Sequence, residues 1–296
     1  MAKPIDIALT AVAPAVWGST YFVTTEFLPA DHPLTMAAFR ILPAGCLLLL
    51  LTPQLPRGRW WGRIFLLGIL NFTLFTSLLF VAAYRLPGGV AATVGAVQPL
   101  MVVFLAALVL GSSIKVPAVF AAVMGIAGVG LLVLGAGIAL DPIGLLAGVG
   151  GAAAMAAGTV LTRKWQPDVS LLTFTAWQMT AGGLCLVPLA VLFEPMLPPL
   201  QLPHIVGITY LALVGGALTY LLWFRGISRI EPSAVSALGF LSPVSAVLIG
   251  WALLDQALTM AQIGGAAMVL AAVSLGQFVG LAPRQALPYQ SVRSPV

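Results

Sequence analysis

The stretch YRLPGGVAATVGAVQPLMVVFLAALVLG, residues 84–111, belongs to a segment that carries no charge between Arg85 and Lys115. A helix that crosses the hydrocarbon core of a bilayer needs about 20 mostly apolar residues, so this stretch is long enough to span a membrane. A second stretch, SRIEPSAVSALGFLSPVSAVLIGWALLD at 228–255, has the same layout. Its arginine and its internal proline, Arg229 and Pro243, follow Arg85 and Pro99 by 144 residues. The sequence therefore predicts two related sets of membrane-spanning helices.

The composition excludes a water-soluble fold. Of 296 residues, 60% are hydrophobic and only 7% are charged, and the mean hydropathy is +1.08. About a quarter of the residues in a soluble domain are charged. The net charge of +5 does not indicate a nucleic-acid partner, because the sequence has no basic patch with interleaved aromatic residues. The expected fold class is an all-α polytopic membrane protein whose surroundings are the lipid bilayer.

Breaking the chain at charges and at clusters of proline and glycine gives ten candidate spans. They cover residues 6–25, 33–51, 64–84, 88–110, 116–137, 143–162, 170–192, 204–224, 232–254 and 261–280. If both termini are cytoplasmic, eleven of the 13 lysines and arginines lie on the inner side, whereas Arg85 lies outside and Arg40 within a span. Such a bias sets the orientation of membrane proteins. It predicts a multi-pass protein of a bacterial inner membrane with both ends in the cytoplasm.

The repeat predicts two five-helix units, residues 1–140 and 141–282, followed by a flexible cytoplasmic tail at 283–296. A second pair of motifs supports it, because Phe39-Arg40 is answered by Trp177-Gln178 at a spacing of 138. Five spans per unit is an odd number, so the two units must lie in the membrane with opposite orientations. Inverted repeats around a central cavity are typical of transporters that work by alternating access.

Several short motifs resemble the drug/metabolite transporter superfamily, specifically its ten-helix EamA-type exporters. They are Trp17-Gly18-Ser19, Ala38-Phe39-Arg40, Gln98-Pro99-Leu100, the segment from Val235 to Ser242-Pro243, and Leu253-Leu254-Asp255. The resemblance implies two EamA repeats around a central cavity, and export of amino acids or related metabolites through the inner membrane. The chain departs from the family pattern after the fourth span, where Ser112 follows Gly111 in place of the common glutamate.

Arg40 is the strongest candidate for cargo binding, because an ionisable group inside a span is costly and its default interpretation is functional. Its guanidinium could hold a substrate carboxylate, whereas the simpler alternative is that it reaches the outer interface. Polar and aromatic residues inside spans are the other candidates. The full set of expected substrate-binding residues is Trp17, Tyr21, Arg40, Asn71, Tyr84, Gln98, Trp177, Gln178, Tyr220 and Ser242. No cofactor or metal is expected.

The acidic residues predict a transporter without a carboxylate near the membrane centre for proton coupling. Their positions are span ends and loops: Asp6, Glu26, Asp31, Asp141, Asp168, Glu194, Glu231 and Asp255. The expected cargo is a small amphipathic metabolite, and the expected assembly is a monomer or a homodimer. A multidrug or lipid-type efflux protein or flippase is an alternative that the sequence leaves open. An intramembrane enzyme is a remote one, because the chain contains only two histidines and no HExxH motif.

Overall fold

The computed structural model describes residues 3–29, 31–86, 94–133, 141–253 and 259–281, and these residues contain helices and no strand. In the first half the α-helices are α1 (Pro4–Trp17), α2 (Ser19–Phe27), α3 (Pro33–Leu51), α4 (Trp60–Gly68), α5 (Phe75–Arg85), α6 (Gln98–Leu110) and α7 (Val116–Val133). In the second half they are α8 (Pro142–Lys164), α9 (Leu171–Phe193), α10 (Leu202–Ala212), α11 (Thr219–Arg229), α12 (Pro232–Leu238), α13 (Leu241–Leu253) and α14 (Met260–Leu281). The tail expected at 283–296 lies outside the described residues.

Two π-helical segments interrupt otherwise continuous helices. The first π segment, Ile69–Leu74, joins α4 to α5, and the second π segment, Leu213–Leu218, joins α10 to α11. A π-helix bonds each N–H to a carbonyl five residues back, so it accommodates an extra residue in the turn. The two segments have the same length and begin 144 residues apart, which is the spacing between Arg85 and Arg229.

The prolines within the fourth and ninth predicted spans lie just after a break in the helix. A non-helical turn at Ala96–Val97 precedes α6, and a turn at Gly239–Phe240 separates α12 from α13. Pro99 therefore sits in the first turn of α6, where its missing N–H would have no helical partner in any case. The sequence suggested a proline bend in mid-span, whereas the structure has a turn followed by a new helix.

The dimensions and surface of the helices confirm a polytopic membrane protein. Eight helical stretches are long and apolar enough to cross a bilayer: Pro4–Thr24, Pro33–Leu51, Trp60–Ala82, Pro142–Lys164, Leu171–Phe193, Leu202–Arg229, Pro232–Leu253 and Met260–Phe278. The helices Gln98–Leu110 and Val116–Leu131 are apolar but shorter. Large apolar side chains such as Leu108 and Val191 are 83% and 75% exposed, as a lipid-facing surface requires. The number of ten spans and the inversion of the two units remain predictions.

The helix pairs that pack most extensively are α3 with α9 and α7 with α14. At the first pair the backbones approach so closely that a Cβ atom on Gly45 would lie 2.5 Å from the Thr180 nitrogen. Small residues permit such contacts between membrane helices. Each first helix of a half packs against the other half in the same way: α1 contacts α11 and α13, and α8 contacts α5 and α6. The two halves are thereby interleaved rather than placed side by side.

Candidate functional site

Aromatic side chains from both halves form a cluster beside the second π segment. The ring centroids of Trp17 lie 5.1 Å from Tyr220 and 5.2 Å from Trp223, and those of Phe72 and Tyr220 are 4.7 Å apart. Phe224 packs edge-on against Phe72 and Tyr220. All members are buried except Trp17, which is half-buried. The cluster thus presents the Trp17 indole as its accessible face. We call these five residues the aromatic cluster.

Arg40 lies next to this cluster, and its side chain is held by the second π segment. The residue is 4% exposed, and its Nη2 donates a hydrogen bond to the carbonyl oxygen of Gly215 at 3.0 Å. The same oxygen accepts hydrogen bonds from Trp17 Nε1 at 3.1 Å and from Thr219 Oγ1 at 2.7 Å. The snorkelling alternative for Arg40 is therefore not what the structure shows, because a buried backbone carbonyl binds its guanidinium. We refer to Arg40, Trp17 and Thr219 as the donor cluster.

A second polar cluster lies at the first π segment. The Asn71 amide nitrogen donates to Thr162 Oγ1 at 3.0 Å and to Gln178 Oε1 at 2.9 Å. The three residues are at most 2% exposed. Gln178 follows Arg40 by 138 residues, and Gly215 follows Asn71 by 144, which are the two repeat spacings. Each half therefore sends one side chain from its second span to the π segment of the other half, charged in one case and neutral in the other.

The other predicted site residues lie apart from these clusters or outside the described side chains. Trp177 is 5% exposed, packs with Ile64 and Leu67, and donates from Nε1 to the Gln54 carbonyl at 2.5 Å. Gln98 and Ser242 are half-buried at the two helix breaks. A Cβ atom on Gly239 would lie 3.8 Å from Gln98 Oε1, and one on Gly18 would lie 2.5 Å from the Ser242 carbonyl. The side chains of Tyr21 and Tyr84 lie outside the described part of the structure.

Sequence reasoning did not select Thr219, Gly215, Trp223 or Phe72 for the site. The first two could have been found from the repeat, because Asn71 was already a candidate and its counterpart at a spacing of 144 is Gly215. Trp223 and Phe72 carry no such signal, since one more aromatic residue in an apolar span is typical of a packed helix.

Ion pairs connect the ends of helices from different halves. Asp6 is 4% exposed, and its Oδ1 accepts from Arg225 Nη2 at 2.6 Å and from Arg229 Nη1 at 3.2 Å. The Lys115 ammonium lies 3.3 Å from Glu231. Near these groups Arg163 donates to the Ile227 carbonyl at 3.0 Å and also to the Ser228 carbonyl. These contacts attach the last turn of α11 to α1 and α8.

A single, more exposed ion pair joins Arg85 to Asp141 at 3.2 Å. Asp141 caps α8, where its Oδ1 accepts from the amides of Ile143 and Gly144. The hydrogen bond from the Gly144 amide, together with the Ile143 amide and the Arg85 guanidinium, holds the pKa of this carboxyl below its ordinary value of 3.8. The group is therefore ionised at physiological pH.

Comparison with known proteins identifies relatives along the whole chain. The model of the EamA-like transporter family matches residues 5–134 and again residues 142–276. Protein PecM of Dickeya dadantii is 44% identical over 275 residues, which cover 92% of each chain. The uncharacterized inner membrane transporter YedA of Escherichia coli is 27% identical, with 89% of each chain covered. A probable amino-acid metabolite efflux pump of Salmonella typhimurium is 24% identical and covers 92% of this chain and 95% of its own. A solved crystal structure superposes with a TM-score of 0.81 at 19% identity, covering 94% of this chain and 98% of the other, and so shares its fold.

Proposed function

Because the chain belongs to the EamA-like transporter family, we propose that it exports amino acids or related small amphipathic metabolites across a bacterial inner membrane by alternating access. The observation that carries this proposal is Arg40, a charged side chain only 4% exposed within an apolar helix, next to the aromatic cluster. A charge at such a position is retained at a cost, and function is its default explanation. The printed name of the Salmonella typhimurium relative supports amino-acid metabolites as the cargo class.

Alternating access is supported by the correspondence between the two halves. Helices α5 and α11 start 144 residues apart, as do α7 and α14, while α3 and α9 start 138 apart. The interleaved packing of α1 and α8 follows the same relation. We propose two inverted units, residues 1–140 and 141–282, with five spans each. Exchange of conformation between such units would convert an inward-open cavity to an outward-open one.

The orientation that we propose has both termini in the cytoplasm and rests on the distribution of lysine and arginine. Under it, the ion pairs of Asp6 with Arg225 and Arg229 lie at the cytoplasmic end, and the pair of Arg85 with Asp141 lies at the opposite end. The name of the Escherichia coli relative supports an inner membrane location.

We propose that the cargo lies against the aromatic cluster with its carboxylate directed to Arg40. The flat faces of Trp17 and Tyr220 suit an apolar side chain, and the polar edge of Trp17 suits its polar end. The neutral cluster of Asn71 and Gln178 occupies the equivalent place in the other half and has no charge to offer. Among the other predicted residues, Gln98 and Ser242 lie where the helices break and would line the moving part of the pathway.

Transport is proposed to proceed without a midplane carboxylate for proton coupling. In the described part of the chain the acidic residues lie at helix ends or in connections: Asp6, Glu26, Asp31, Asp141, Asp168, Glu194 and Glu231. Exchange or facilitated diffusion then accounts for net movement of cargo, since a proton carrier in the bilayer centre is normally an Asp or Glu.

The test is uptake of a panel of labelled amino acids into proteoliposomes, with and without an imposed pH gradient. We expect saturable uptake without a gradient. Arg40→Ala should reduce it by ~10-fold or more, because a hydrogen bond to a charged group contributes about 1.5–3 kcal/mol. Arg85→Ala, which removes an arginine with a 46% exposed side chain, serves as the control and should change uptake little. Uptake that needs the gradient, or that survives Arg40→Ala unchanged, would contradict the proposal.

A further inference from the structure

The carbonyl oxygen of Gly215 is surrounded by more hydrogen-bond donors than it can fully satisfy. Arg40 Nη2, Trp17 Nε1 and Thr219 Oγ1 all lie between 2.7 and 3.1 Å from this one atom. A carbonyl oxygen has two lone pairs, so at least one of the three donors is poorly served. Trp17 Nε1 divides its proton between this oxygen and Thr219 Oγ1, which is 2.9 Å away.

Convergent donors with one positive charge are the arrangement that binds a carboxylate. A carboxylate offers two oxygens with about four lone pairs and forms charge-assisted hydrogen bonds that are roughly twice as strong as neutral ones. The three donors come from three separate helices, α1, α3 and α11, and therefore from both halves of the chain. Nothing in the packing of an apolar core requires three polar side chains from distant segments to meet at one backbone atom.

We propose that the donor cluster is the carboxylate subsite of the transporter, and that the Gly215 carbonyl occupies it when no cargo is bound. This inference rests on the proposed function and adds Trp17 and Thr219 to Arg40 as residues that determine specificity. An incoming carboxylate oxygen replaces the Gly215 oxygen on Arg40 and Trp17. The half-buried Trp17 indole is the side from which it enters, because Arg40 and Thr219 are 4% and 0% exposed.

The subsite predicts discrimination between acids and their amides. A primary amide of the same shape carries no charge, and its NH₂ group would point hydrogens at donors that have none to accept them. Cargo that lacks a carboxylate would therefore leave the Gly215 carbonyl in place. The aromatic cluster alone would give only weak binding, without selection for the polar end.

The inference can be tested by NMR of indole Nε1–H groups in the purified, detergent-solubilised full chain. Trp17→Phe, which keeps an aromatic ring and removes the N–H, assigns the Trp17 resonance by its disappearance. The probes are two matched pairs, L-leucine with L-leucinamide and 4-methylpentanoate with 4-methylpentanamide. Thr219→Val and Arg40→Gln remove single donors, and Thr209→Val, at an exposed position of α10, is the control.

We expect both acids to shift the Trp17 resonance saturably and both amides to leave it unchanged. Thr219→Val and Arg40→Gln should raise the half-saturating concentration by roughly 10-fold, as expected for loss of one charge-assisted bond, and Thr209→Val should not. Equal shifts with acids and amides, no shift with either acid, or no effect of Thr219→Val would overturn the inference. A shift without amino-acid flux in proteoliposomes would retain the subsite and refute the proposed function, whereas flux without a shift would do the reverse.

Discussion

Gly215 and Gly216 are adjacent in the second π segment but face different surroundings. A Cβ atom on Gly215 would have Leu211 Cδ2 as its nearest neighbour at 3.6 Å, with Arg40 Nη2 at 3.8 Å. A Cβ atom on Gly216 would lie 2.9 Å from the Arg40 carbonyl oxygen, which belongs to a packed backbone and cannot move aside. The tolerance for a methyl group should therefore differ between the two positions.

We expect Gly216→Ala to lower the free energy of unfolding by roughly 1–3 kcal/mol through overpacking. Gly215→Ala should be neutral or stabilising by up to about 1 kcal/mol, since alanine loses less backbone entropy than glycine in a helix. Thermal unfolding in detergent, followed by tryptophan fluorescence, measures both variants. Equal loss of stability in the two variants would show that α3 does not pack on Gly216 as described.

The amide network of Asn71, Thr162 and Gln178 has no contact with water, so its members should depend on one another. Gln178→Leu leaves the Asn71 amide with one acceptor fewer and is expected to cost about 1–3 kcal/mol. Asn71→Leu should cost a similar amount. The double substitution should cost less than the sum of the two, because no unsatisfied donor then remains between them. A double-mutant cycle on thermal stability tests this, and strictly additive losses would contradict the hydrogen bond.

At the scale of the helix, each π segment can be described as an α-helix that accommodates one additional residue. Deletion of Val214 should therefore return the α10–α11 stretch to regular α-helix while keeping both flanking faces in place. Deletion of Val206 from the regular turns of α10 should instead rotate one side of the helix by about 100° relative to the other.

We expect the Val214 deletion to remain monodisperse and thermally stable but to lose transport, since the Gly215 carbonyl rejoins the helix and leaves the donor cluster. The Val206 deletion should not yield a stable protein. Size-exclusion chromatography with thermal unfolding, followed by uptake assays on the folded variant, distinguishes the two. Equal instability of both deletions would show that the segment is not an insertion in an α-helix.

The helices themselves were predictable, whereas the π segments and the grouping of side chains were not. Hydropathy and charge placed α3 at residues 33–51, where the structure has Pro33–Leu51. The same signal cannot orient an apolar helix about its axis, because nearly every face is hydrophobic. Trp17 and Trp177 had the same sequence signature, yet Trp17 joins the aromatic cluster and Trp177 packs beside Gln54. Only contacts between distant segments separate them.

At the scale of the whole molecule, the two repeat-related arginines make unequal connections between the halves. Arg85 pairs with Asp141, and these side chains are 46% and 34% exposed. Arg229 joins Arg225 on Asp6, whose side chain is 5% exposed. Exposed ion pairs contribute little to stability because water screens them, while shielded ones are screened less. The end that contains Asp6 should therefore be the more firmly closed of the two.

This asymmetry predicts that the transporter rests with its proposed cytoplasmic end closed and that Asp6 keeps it so. Asp6→Asn removes the negative charge between two arginines and leaves them to repel each other, which should open that end. The measurement is the labelling rate of Ser228→Cys by a hydrophilic maleimide in detergent, in a background with Cys46 and Cys185 replaced.

Labelling of Ser228→Cys should accelerate severalfold with Asp6→Asn, because the last turn of α11 is no longer attached to α1. Asp141→Asn, at the opposite end, is the matched control and should leave the rate unchanged. Gln54→Cys, at an exposed position, reports any change in intrinsic reactivity. If Asp141→Asn accelerated labelling as much as Asp6→Asn, the ion pairs would contribute to general stability only, and they would not hold one end of the pathway closed.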